Sequence, residues 1–290
     1  MSVTVTICVA SLNTRDATEL CVRSIRRFAR YPYLLIVGDG GSTDGSVSVL
    51  SEFEDRGWLR LEQSPRARTH AEWLDLWRES CASDLLLFVD SDVEFRRRAW
   101  LRRIVAAAVQ THSAITYSEW LHGGLHLDDD RQSSQVLARP APWMLMIDQR
   151  QTHHLVSSFA VKYSNRNSSV GLPVIRDVGT AFFEEATRRG LPTLAMPLSY
   201  RRMYHHYGGL SWLPTTGRRG QKKLRDQRVV SRRLRQLRRL QSAASILSRL
   251  MAAARLAAVL QDACDLLFRI RARVLSTSKR GTTSQVTEAS

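Results

Sequence analysis

The chain has 290 residues, is 43% hydrophobic and 24% charged, and carries a net charge of +16. That balance excludes wholesale disorder and low-complexity classes, and no apolar run reaches the roughly 20 residues of a membrane-spanning helix. Four cysteines, at 8, 21, 81 and 264, are too scattered for a disulfide framework or a Cys-based zinc site.

Val3, Val5, Ile7 and Val9 alternate with Thr4, Thr6 and Cys8, the period of a strand. Asp16 to Arg30, with Leu20, Ile25 and Phe28 among charges, predicts an amphipathic helix. Tyr33 to Val37 reads as a buried strand running into a Gly/Asp/Ser loop, and Ser46 to Phe53 as a short helix. Ala71 to Glu79 predicts a helix and Leu85 to Val89 a third buried strand. Strands alternating with helices imply a parallel, doubly wound sheet. Trp100 to Gln110 predicts a helix, as does Asp177 to Arg189, stopped by Gly190 and Pro192. The stretch between those two helices has no readable period. Residues 216–275 are long-helix material, and 276–290 form a Ser/Thr-rich tail expected to fray.

The charge is local. Residues 218–240 hold eleven Lys/Arg against one Asp, a net of +10, which leaves +6 for the rest. No aromatic lies among these basic residues, which argues against nucleic acid as the partner. A basic amphipathic helix suits an anionic membrane surface, self-association, or packing on the body of the protein. No Lys or Arg precedes Arg15, so a secretory signal is not expected, and the expected location is cytoplasmic, peripheral on the inner membrane face if the basic helix finds lipid.

Four stretches carry chemistry. Gly38-Asp39-Gly40-Gly41-Ser42-Thr43-Asp44-Gly45 follows a strand, where open parallel sheets bind ligands; it reads equally as a turn leading to a capped helix. Asp90-Ser91-Asp92 ends a strand, and two carboxylates there can reach a hard divalent cation. Asp177 opens a predicted helix, as a cap or as a general base. His205-His206 precede Gly208-Gly209, and neighbouring residues of an extended chain point opposite ways.

Together these stretches resemble family-2 glycosyltransferases. Val5-Thr6-Ile7-Cys8-Val9-Ala10-Ser11-Leu12-Asn13 is similar to that family's first strand and nucleotide loop, and Gly38 to Gly45 to its DDGSxDG loop. Phe88 to Val93 is similar to its DxD motif, 51 residues after Asp39, and His205 to Ser211 to its HxGGxS stretch. The sequence departs from the pattern at Ala10, Leu12 and Gly40, which bears on the nucleotide. The resemblance implies a GT-A fold (Rossmann-like, mostly parallel, helices on both faces) over 1–215. Residues 1–95 would be the nucleotide half and 96–215 the acceptor half, followed by a basic helical extension over 216–275.

It also implies a sugar transfer from a nucleotide-diphosphate sugar to an acceptor hydroxyl, with inversion, using Mn²⁺ or Mg²⁺. Asp39 would hold the base or ribose, and Ser11, Leu12, Asn13, Gly41, Ser42, Asp90 and Ser91 would line the nucleotide-sugar site. Asp92 and Asp90 would bind the cation, with His205 or His206 completing it, and Asp177 would be the base. The acceptor would be a glycan, a lipid-linked sugar or a small molecule. Trp120, His122, His126 and Asp128 to Asp130 are candidates for its side of the site, and Arg201 and Arg202 for screening the diphosphate. The competing expectation is a non-catalytic protein of the same fold that acts through its basic helices.

Overall fold

The computed structural model describes residues 3–127, 133–164, 174–208, 210, 221–249 and 251–252. The chain divides into two compact units, Met1–Arg235 and Gln236–Ser290. Within the second, residues 236–249 are helical.

The first unit is built on strands β1 (Val5–Ser11), β2 (Leu34–Asp39), β3 (Arg60–Gln63), β4 (Leu85–Asp90), β5 (Val93–Phe95), β6 (Ile115–Tyr117), β7 (Trp120–Leu121), β8 (Gly124–Leu127), β9 (Ser133–Val136), β10 (Arg139–Pro140), β11 (Met144–Asp148), β12 (Lys162–Ser164), β13 (Val174–Arg176), β14 (Thr193–Ala195) and β15 (Tyr204–His206). Seven of these form one sheet in the order β14-β6-β11-β4-β1-β2-β3. β11 runs antiparallel to its neighbours β4 and β6; the other pairs are parallel. The helices are α1 (Arg15–Phe28), α2 (Ser46–Asp55), α3 (His70–Ser80), α4 (Trp100–Gln110), α5 (Gln149–Thr152) and α6 (Thr180–Arg188), followed by α7 over 221–249.

The alternation in β1 serves two cores rather than a wet and a dry face. Val5, Ile7 and Val9 join a cluster with Cys21, Ile25, Leu50, Phe53 and Leu101 from α1, α2 and α4. Cys8 joins the other cluster, with Trp73 and Trp77 of α3 and Phe182 of α6. A central strand between β2 and β4 is covered on both sides, so even Thr6 is buried. Each large side chain so buried is worth about 2 kcal/mol. Gly38 on β2 is required by close approach, because a Cβ there would lie 2.7 Å from both Trp73 and Trp77. β3 carries no sequence signal: Arg60, Glu62 and Gln63 fit a short polar edge strand.

Helix α6 starts at Thr180, three residues later than the sequence pattern predicts. Gly179 takes φ 81° as its N-cap, which leaves Asp177 in the loop before the helix.

The start of the basic helix packs on the rest of the first unit. Val230 and Leu234 are buried. Ser231 Oγ donates to Asp16 Oδ2 at 2.5 Å. Lys222 Nζ donates to the carbonyls of Tyr207 (2.8 Å) and Gly208 (3.2 Å). Arg233 meets Glu94 Oε1 through Nε at 3.0 Å and Nη2 at 2.7 Å. Glu94 is 3% exposed and also accepts from Arg96 and from the Tyr207 hydroxyl. The sequence expectations for 253–275 and the 276–290 tail lie outside the described residues.

Burial acts to raise the Glu94 carboxyl pKa, but the Arg233 and Arg96 guanidiniums outweigh it and hold it below the ordinary 4.5. A depressed carboxylate pKa contributes stability that is complete above the ordinary value and is lost as pH falls through the folded one. Glu94→Ala should therefore cost about 1–2 kcal/mol at neutral pH, because it removes the shared partner of two partly exposed arginines. Arg233→Ala should cost about 1 kcal/mol, because Glu94 keeps Arg96 and Tyr207. Thermal melts from pH 7 to pH 3 check both: the gap between wild type and Glu94→Ala should close below pH 4.5, and a pH-independent gap contradicts the assignment.

Candidate active site

A cleft of about 660 Å³ opens at the carboxyl ends of β1 and β4. Its floor is the sequence Asp90-Ser91-Asp92, where β4 ends in a tight turn into β5. β15 pairs back onto β5 with His206 opposite Val93. That register brings a histidine more than 100 residues away in sequence alongside both aspartates. Asp90, Asp92 and His206 each offer a ligand atom within 4.8 Å of the others. His206 Nε2 lies 3.2 Å from Asp92 Oδ1 and 3.8 Å from Asp90 Oδ2. His205 is one position earlier, opposite Glu94, and its ring packs edge-on against Tyr207 instead. Strand alternation thus separates the two histidines, and only His206 joins the aspartates.

Charge in this corner is concentrated. Burial, and then the neighbouring Asp92, push the Asp90 carboxyl up, against His70 and His206. Burial works against the charged form of His206, but Asp92 and Asp90 more than offset it and raise its pKa. His70, the first residue of α3, approaches Asp90 Oδ1 at 3.3 Å from the other side. Trp143 stacks on the His206 ring with centroids 4.4 Å apart, fixing its plane. Asp92 Oδ2 accepts from Leu210 N at 3.3 Å, while its buried Oδ1 faces His206 Nε2. Two converging carboxylates and an imidazole are a donor set that fits a divalent cation.

A buried chain of hydroxyls ties this corner to the first strand. Ser11 Oγ, Thr18 Oγ1, Thr14 Oγ1 and Ser91 Oγ follow one another at 2.9, 3.0 and 2.9 Å. Ser11, Leu12, Asp90 and Ser91 line the cleft, as does Asp92. Asn13, Asp39, Gly41 and Ser42 form the supporting loops behind it. Asn13 N donates to Ser42 Oγ, and Thr43 N donates to Asn13 Oδ1, stitching the loop after β1 to the loop after β2. Asp39 Oδ1 accepts from the N–H groups of Gly41 and Ser42, while its buried Oδ2 has no partner.

Asp177 faces the same cleft from the other half of the domain. Its carboxylate pairs with Arg139 of β10, a buried guanidinium whose Nε is otherwise unpartnered. His70, Arg139 and Trp143 were not singled out from the sequence. The Thr69/Glu72 capping box marks the start of α3, and so the place of His70. Nothing in the aperiodic middle segment marks the other two. Of the acceptor-side candidates, Trp120 packs against Phe183 and Tyr117, and His122 is exposed. The side chain of His126 and residues 128–130 lie outside the described residues. Arg201 pairs with Glu119, and Arg202 lines a different cleft.

The sequence pattern of Glycosyl transferase family 2 matches residues 6–166. No curated protein matches the chain. Among solved structures, the mannosyltransferase PcManGT from Pyrobaculum calidifontis, in complex with GDP-Man and Mn²⁺, is 14% identical over 88% of this chain and 81% of its own, with a TM-score of 0.48. Glucosyl-3-phosphoglycerate synthase from Mycobacterium tuberculosis, with Mn²⁺, UDP and glucosyl-3-phosphoglycerate, is 13% identical over 81% of this chain and 80% of its own, TM-score 0.46. TarS 1-349 from S. aureus, with UDP-GlcNAc, is 18% identical over 40% of this chain, TM-score 0.36. The match spans 34% of that TarS chain.

Metal titration by calorimetry checks the donor set. Mn²⁺ should bind one site, weakened about tenfold or more by Asp92→Asn or His206→Ala and little changed by His205→Ala. Equal losses for the two histidine variants would contradict the geometry.

Proposed function

The chain belongs to glycosyl transferase family 2, and we propose that it moves a sugar from a nucleotide-diphosphate sugar to an acceptor hydroxyl with inversion at the anomeric carbon. The observation that carries this reading is the facing arrangement of Asp177 and the Asp90–Asp92–His206 group across one cleft. A transferase of this kind needs a cation-binding corner for the diphosphate and a carboxylate for the attacking hydroxyl on the opposite side of the sugar.

The residues divide that work. Asp39 Oδ2, buried and unpartnered beside Ser11, accepts from an N–H of the donor's base. Ser11 and Leu12 form the wall against the nucleoside, with Leu12 offering 39%-exposed apolar surface. Asp90, Asp92 and His206 hold the divalent cation, which when bound offsets the negative charge that grows on the leaving diphosphate. The imidazole ligand favours Mn²⁺ over Mg²⁺. Trp143 fixes the His206 ring and so the direction of its lone pair. Asp177 takes the proton from the acceptor hydroxyl as it attacks, while Arg139 orients that carboxylate and offers Nε to a sugar hydroxyl.

Calorimetry with UDP, GDP, dTDP and their sugars, with and without Mn²⁺, should find one nucleotide bound in a cation-dependent way. Asp177→Asn should keep that binding and lower the transfer rate about 100-fold or more. The anomeric configuration of the product, read by NMR, should be opposite to that of the donor. Near-normal turnover by Asp177→Asn, or a product that retains configuration, overturns the proposed base.

A further inference from the structure

A second cleft, of about 550 Å³, lies away from the metal corner and is lined by Arg96, Arg97, Arg98, Arg103 and Arg202. The β5–β15 ribbon connects the two places. Asp92 and His206 stand at one end of it. At the other, Arg96 N donates to the Met203 carbonyl at 2.7 Å. Four residues of extended chain separate Asp92 from Arg96, roughly 13 Å. This cleft therefore shares a structural element with the active site but no lining residue.

The charge here is uncompensated. Arg96 is paired with Glu94. Among the described residues, no carboxylate is within ion-pair distance of Arg97, Arg98, Arg103 or Arg202. Four exposed guanidiniums around one concavity make a local excess of positive charge that favours an anion. The chain also bends to place them. Ala99 adopts φ 60°, a left-handed conformation uncommon without glycine, between Arg98 and the start of α4. Ala99, the N-cap of α4, makes no side-chain cap hydrogen bond. Phe28 and Met203 add apolar lining.

We propose that this arginine cleft is a binding site for a phosphate-bearing ligand, separate from the nucleotide site. Planar guanidiniums match phosphate oxygens bidentately, and a cleft of this volume is within the range of small-molecule sites. Four unpaired arginines exceed what one phosphomonoester needs and suit a diphosphate or two adjacent phosphates. That chemistry is offered both by a soluble polyphosphate ester and by lipid headgroups at an anionic surface. Arg202, which sequence reasoning placed near the donor diphosphate, belongs to this second site.

The test uses the full-length protein in EDTA, so that no cation-dependent binding at the Asp90–Asp92–His206 corner contributes. Inorganic pyrophosphate is titrated by calorimetry, and co-sedimentation is measured with vesicles of phosphatidylglycerol or of phosphatidylcholine. The triple variant Arg97→Gln/Arg98→Gln/Arg202→Gln is compared with Arg30→Gln/Arg56→Gln/Arg188→Gln, which removes the same charge from exposed positions elsewhere. All are exposed, and thermal melts confirm that both triples fold. We expect the cleft triple to weaken pyrophosphate binding, vesicle binding or both by about tenfold or more, and the control triple to change them little. Loss in the pyrophosphate arm identifies a soluble phosphate ligand; loss with phosphatidylglycerol alone identifies a lipid headgroup. Absence of binding in both arms for the wild type, or equal losses in the two triples, overturns the proposal.

Discussion

Five residues, Asp90-Ser91-Asp92-Val93-Glu94, place three carboxylates within one turn and one short strand. Each is wholly or partly withdrawn from water, and like charges so close cannot all stay ionised without positive partners. The rest of the domain supplies those partners. His70 at the start of α3 and His206 on β15 flank Asp90, His206 also meets Asp92, and Arg96 and Arg233 take Glu94. Helix, ribbon and C-terminal extension are each brought to this segment by the charge it must balance.

This arrangement explains why the basic helix is not a mere appendage. Its first fourteen or so residues reach the body through Glu94, Asp16 and the carbonyls of Tyr207 and Gly208. Those carbonyls follow His206 directly, and Tyr207 N donates to the Asp92 carbonyl. Lys222 therefore grips the backbone that leads out of His206. The docked part of α7 and the cation corner share a single loop, so the order of one supports the order of the other.

Apart from β3 and β5, the strands and helices of the first hundred residues were legible because local periodicity and burial agree there. Leu85 to Val89 and Trp100 to Gln110 needed no tertiary information. Asp90, Asp92 and Asp177 were legible from their residue types at the ends of elements. What decides between His205 and His206 is the pairing of β15 with β5, a contact between positions about 110 residues apart that no local pattern encodes. Arg139 and Trp143 sit in short strands and turns whose conformation is set by the surrounding sheet rather than by their own propensities. The late start of α6 shows the same limit in miniature: Gly179 reads as part of a helix until its positive φ makes it the cap.

The distribution of arginine follows from the same balance. Arginines are paired with carboxylates at several places: Arg139 with Asp177, Arg233 and Arg96 with the buried Glu94, and Arg23 with the buried Glu19. A chain with a net charge of +16 has more guanidiniums than such partners. An excess scattered over the surface would be solvated one residue at a time and would call for no ligand. Arg97, Arg98, Arg103 and Arg202 are instead gathered around one concavity by a left-handed residue and a returning 3₁₀ helix, Leu198–Met203. The fold thus sets two clusters of opposite sign on one ribbon: the acidic corner of Asp90 and Asp92, and the arginine cleft beside Arg96.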